Sequence, residues 1–109
     1  MPRTSSSSTT MRDDEILPNP HPGEILQLEF MAPLGLSQNA LARAIRVPPR
    51  RINELVHGRR AVTADTNLRL TRCFGLSESF FLGLKADHDL TAQRRRLGDE
   101  LAGIEPRAA

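Results

Sequence analysis

Between residues 43 and 72 the chain carries eight arginines (Arg43, Arg46, Arg50, Arg51, Arg59, Arg60, Arg69, Arg72) against two acids, Glu54 and Asp65. Eight minus two is a local charge of +6, in a chain of 109 residues whose formal total is +2. Every basic residue except Lys85 is an arginine. A guanidinium is planar and presents a fork of N–H donors, which matches phosphate oxygens and the O6/N7 edge of guanine. A nucleic acid is therefore a better explanation of this stretch than a solvated face. Other chemistry is sparse. His21, His57 and His88 are dispersed and have no Cys, Asp or Glu at ligand spacing, so no metal site is expected. Cys73 has no base partner in the sequence and reads as a small core residue beside Phe74, not a nucleophile. No glycine loop suited to phosphate binding occurs, and neither an enzyme nor a bound cofactor is expected.

The segments that hold the arginines have helical periodicity. Pro22 or Gly23 opens a first helix with apolar positions Ile25, Leu26, Phe30 and Leu34, stopped by Pro33-Leu34-Gly35. Ser37 is a good N-cap for a short second helix, Gln38 to Ile45, that buries Leu41, Ala42 and Ile45. Val47 precedes Pro48 and must leave the helical region, so a tight turn falls there. A third helix starts at Pro48 or Pro49, turns Ile52, Leu55 and Val56 inward and ends at Gly58. Thr63 caps a fourth, Ala64 to Phe74, with Leu68, Leu70 and Phe74 apolar and Gly75 closing it. Ser77 begins a fifth that runs past Leu97, with the dense cluster Phe80, Phe81, Leu82 and Leu84 near its start. No alternating strand pattern competes, so the fold class is all-α with five helices.

The flanks differ in character. Residues 1–17, with the Ser/Thr tract Ser5 to Thr10 and Arg12-Asp13-Asp14-Glu15, are too polar to repay ordering and are expected to be a disordered tail. Met11 is a candidate initiator, which would make the first ten residues foreign to the natural protein. Residues 18–92 form the folded domain, with its central motif at about 37–58, and residues 93–109 a helical extension or tail. Beyond the apolar cluster at residues 80–84 and into that extension, Leu90, Leu97, Leu101 and Ile104 make an apolar stripe with no remaining core to cover, which suits a partner. A lone cysteine, no signal-like apolar stretch at the N-terminus and no long apolar run point to a cytoplasmic protein without membrane association.

A short helix, a tight turn and a second helix ending in Gly constitute a helix-turn-helix unit. The string Leu36-Ser37-Gln38-x-x-Leu41-Ala42-x-x-Ile45-x-Val47-Pro48-x-x-x-Ile52-x-x-Leu55-x-x-Gly58 resembles the Xre/Cro family of phage-repressor-like domains. One departure is Arg46 at the turn position usually held by Gly, at a cost of about 1 kcal/mol if its backbone is left-handed. Over residues 19 to 90 the resemblance narrows to HigA-type antitoxins. It is carried by Asn19-Pro20-His21-Pro22-Gly23-Glu24-Ile25-Leu26, Val47-Pro48-Pro49-x-Arg51-Ile52-Asn53-Glu54-Leu55-Val56-x-Gly58-x-Arg60, Thr63-Ala64-Asp65-Thr66-x-Leu68-Arg69-Leu70 and Phe80-Phe81-Leu82-x-Leu84. What this resemblance implies is a five-helix, lambda-repressor-like domain that represses its own operon. It also implies direct neutralisation of a RelE-like (HigB-type) mRNA-cleaving toxin. The alternative is a free-standing Xre-family regulator with no toxin.

In this fold class the N-terminal residues of the motif's second helix face base edges. Arg50 and Arg51 are the expected guanine readers, Glu54 an acceptor for cytosine N4, and Asn53 a cap or backbone contact. Gln38, at a helix N-terminus, can direct its amide to a phosphate, and Arg59 and Arg60 are expected phosphate clamps. The expected partners are an operator inverted repeat in the chain's own promoter, read by a homodimer, and the toxin.

Overall fold

The computed structural model describes residues 17–107. Nearly all of the expected N-terminal tail, residues 1–16, lies outside the described residues, as do residues 108–109. The elements are α1 (Pro22–Ile25, continued directly by a π-helical stretch Leu26–Met31), α2 (Gln38–Ile45), α3 (Pro49–Val56), α4 (Ala64–Phe74), α5 (Phe80–Leu97) and α6 (Asp99–Ala102). Among the described residues there is no strand.

Local chemistry accounts for most boundaries. The Ser37 and Thr63 hydroxyls accept from the N–H groups of Ala40 and Thr66, capping α2 and α4 at the expected places. Arg46 does take the left-handed conformation, φ 64°, and Gly75 ends α4 in the same way at φ 68°. At α1 the cap is His21, whose Nδ1 accepts the N–H of Glu24 at 3.3 Å, and Pro22 follows at the first helical position. The wide turn after Ile25, sealed by Ala32 N–H donating to Gln27 C=O at 2.9 Å, brings Leu26 and Met31 to the buried face. A five-residue spacing therefore replaces the expected run through Leu34, which is 67% exposed beyond the helix.

The core is Leu26, Met31, Leu41, Ala42, Ile45, Val47, Ile52, Leu55, Val62, Leu70 and Phe81, contributed by α1 to α5 and the loops between them. All four phenylalanines join in one cluster: Phe30 stands 5.1 Å from Phe74, 5.7 Å from Phe80 and 5.5 Å from Phe81, centroid to centroid. This cluster closes the core between α1, α4 and α5. The first glycine of α1 is imposed by packing, since a Cβ on Gly23 would overlap the carbonyl of Leu55 at the end of α3.

Three further expectations are corrected. Cys73 is exposed. The inward stripe of α4 is Thr66, Asn67, Leu70 and Thr71, and both Cys73 and Leu68 lie off it. Ser77 does not cap α5, which opens at Phe80 with Ser79 as its flanking residue. Its first turn is satisfied by Asn67 of α4, which is 1% exposed. The Asn67 Oδ1 accepts from the N–H groups of Phe81 (3.0 Å) and Leu82 (3.1 Å), and its Nδ2 donates to the Glu78 carbonyl. Finally, the fifth helix ends at Leu97: Gly98, at φ 48°, separates it from α6.

Candidate nucleic-acid interface

Helix α3 is amphipathic over its whole length. Ile52 and Leu55 are buried at 0% and 2% exposure, fixing the helix against α1 and α2. Two prolines set its start: Pro48 is extended (φ −63°, ψ 143°) and Pro49 begins the helix, where its missing N–H costs nothing. Arg50 and Glu54 then project from the face opposite Ile52 and Leu55, while Arg51, half-buried, lies at the edge of that face towards α4. Arg46, Pro48, Pro49, Arg50, Arg59 and Arg60 are all exposed around that face.

The structure gathers the expected residues into two hydrogen-bonded groups. In the first, the carboxylate of Glu54 accepts from Arg50 Nε at 3.0 Å and from Arg60 Nε and Nη2 at 3.0 and 2.8 Å. Both carboxylate oxygens are thus engaged, and the hydrogen bonds from Arg60 and then Arg50 hold the Glu54 carboxyl below its ordinary pKa. One negative charge between two guanidiniums leaves the group net positive and orients both. Arg50 uses only Nε here, so its Nη donors have no protein partner among the described residues. In the second group, Asn53 Nδ2 donates to Gln38 Oε1 at 3.1 Å, tying the N-terminus of α2 to the middle of α3. Arg59 contributes an exposed side chain, while its N–H donates to the Glu54 carbonyl at 2.8 Å.

Arg51 falls in neither group. Its Nη1 donates to Asp65 Oδ2 at 2.8 Å, and the same oxygen accepts from Arg69 Nε at 3.0 Å. Those hydrogen bonds, Arg69 first, hold the Asp65 carboxyl below its ordinary value. Asp65 and Arg69 were not among the site residues expected from sequence. Their i,i+4 spacing in α4 is the signal that pairs them, but it carries no information about Arg51, fourteen residues from Asp65.

An amphipathic helix held across a short companion by a left-handed turn, with arginines massed on its outer face, defines a helix-turn-helix DNA-binding module. A family model described as "Helix-turn-helix" matches residues 28–81. Virulence-associated protein I of Dichelobacter nodosus is 50% identical over 74 residues, 68% of each chain. Antitoxin HigA-1 of Vibrio cholerae is 31% identical over 77% of this chain and 79% of its own. Among solved structures, the Pseudomonas aeruginosa antitoxin HigA with the higBA promoter superposes with a TM-score of 0.74 at 35% identity, covering 84% of this chain and all of that one. The chain belongs to the HigA-type antitoxins of the Xre/Cro helix-turn-helix family.

Proposed function

We propose that this chain is an antitoxin that represses its own operon by binding an operator inverted repeat and neutralises a RelE-like, HigB-type mRNA-cleaving toxin by direct contact. The observation that carries the DNA half is the Arg50–Glu54–Arg60 group at 2.8–3.0 Å on the outer face of α3. Arg50 and Arg51 read guanine edges, Asn53 and Gln38 brace the two helices against the backbone, and Arg59 and Arg60 grip phosphates. Glu54 orients its two arginines and can accept from cytosine N4 once one of them turns to DNA. Kinship with a HigA whose structure was solved with the higBA promoter supports this assignment.

The DNA-binding unit is a homodimer. Leu90 on α5, Leu101 on α6 and Ile104 just beyond α6 are exposed at 56%, 43% and 67%, apolar side chains that a second copy would cover. The toxin is met by the folded domain, where Glu24 and Glu29 on α1 and Asp87 and Asp89 on α5 offer exposed carboxylates to a basic ribonuclease. The test is co-expression with the product of the adjacent reading frame. Growth arrest by that product alone, relieved by the full chain and equally by a chain lacking residues 1–17, is the expected result. Failure of the full chain to relieve arrest would leave a free-standing regulator.

A further inference from the structure

Asp65 and Arg69 lie outside the exposed face of α3, yet they connect the two halves of the motif to α4. Arg69 Nη1 donates to the carbonyls of Ile45 (2.8 Å) and Arg46 (3.3 Å), which end α2 and have no helical partner of their own. Arg69 Nε binds Asp65 Oδ2 at 3.0 Å, and that oxygen holds Arg51 Nη1 at 2.8 Å. One end of this relay is fixed to backbone at the left-handed turn, and the other grips a long side chain in the first turn of α3. Arg51 spends only one of its donors on Asp65, so Nη2 and Nε are left for an acceptor in the groove. A guanidinium already held in one orientation gives up less side-chain freedom when it meets a base.

We propose that Asp65, anchored through Arg69 to the α2–α3 turn, is a positioning residue that sets the orientation of Arg51 and thereby the base preference at the pair Arg51 reads. The proposal rests on the DNA-reading assignment above and adds a residue from outside the motif. It also fixes a sign: a carboxylate that merely sequestered Arg51 from DNA would, when removed, sharpen the preference; one that positions Arg51 would, when removed, blunt it.

The test is a base-pair scan on a duplex selected from random DNA by the full wild-type chain. If selection yields no site, the DNA-reading assignment itself fails. Given a site, R51A should erase the preference at one base pair per half-site, about tenfold or more. D65N should reduce the preference at that same pair roughly fivefold, the worth of one hydrogen bond, and leave the other positions unchanged. The double variant R51A/D65N should match R51A alone. R69K, which keeps the charge but lacks the fork that binds Asp65 and both carbonyls at once, should reproduce D65N and serves if D65N does not fold. An unchanged or sharpened preference at that pair, equal losses at every position, or additive losses in the double variant would each overturn the proposal.

Discussion

Replacing Asn67 by alanine removes a side chain 1% exposed that makes three hydrogen bonds at the α4–α5 corner. Two of the groups left behind are first-turn N–H donors of α5, at Phe81 and Leu82, and the third is the Glu78 carbonyl. Such donors have no partner within their own helix. A buried polar group left without a partner costs ~1–3 kcal/mol. Phe81 is buried and Leu82 half-buried, while Glu78 is exposed, so water restores part of the loss. The expected destabilisation is about 3 kcal/mol, a large share of the 5–15 kcal/mol typical of a whole domain. In a domain of this size that corresponds to a fall in Tm of roughly 12–24 °C. Urea denaturation followed by far-ultraviolet circular dichroism measures it, with an unchanged slope certifying two-state behaviour. Asn67→Asp keeps an acceptor for the two N–H groups and should recover about half of the loss. A cost below about 1 kcal/mol for Asn67→Ala would show that Asn67 does not cap α5, since exposed caps are worth as much.

Gly23→Ala should cost more than the loss of helix entropy returns, because its Cβ meets the Leu55 backbone, which cannot rotate away; a rise in Tm would show that α1 can shift off α3. Arg60→Ala should weaken binding to operator and random DNA alike and lower the salt slope by about one unit, as read from isotherms at several salt concentrations. The carboxyls of Glu54, Asp65 and Asp89 all have folded pKa values depressed by hydrogen bonds from basic neighbours. Their small contribution to stability is therefore present above about pH 4.5 and lost as pH falls through the carboxylate range; Tm measured from pH 7 to 3 should fall, and Glu54→Gln should shrink that fall. Cys73 should react with a thiol reagent in the native state at full stoichiometry and leave DNA binding intact.

The elements legible in the sequence were those with their own local signals. Ser37, Thr63, Gly75 and the Pro48-Pro49 pair each act within one turn, and α2, α3 and α4 fall where those residues put them. The arginine-rich face was legible for a related reason, because burying Ile52 and Leu55 forces Arg50 and Glu54 outward and leaves Arg51 at the edge of that face. Long-range effects were not legible. The π turn that moves burial from Leu34 to Met31, the cap on α5 supplied by Asn67 of another helix and the overlap that demands Gly23 all arise between elements. Cys73 was misread because α4 turns a narrow stripe of Thr66, Asn67, Leu70 and Thr71 inward, two of them threonines and one an amide. The tie between Arg51 and Asp65 likewise exists only once α3 and α4 are packed.

Whether this arginine face reads a specific site is the decisive question. Footprinting of the promoter region upstream of the chain's own gene, with the full chain at low salt, measures that directly. The expected result is a protected inverted repeat with half-sites about one turn, ~34 Å, apart. Protection should be lost specifically on Arg51→Ala and progressively as salt is raised. Uniform protection with no palindrome at low salt, or an Arg51→Ala footprint identical to the wild type, would contradict specific reading by this face.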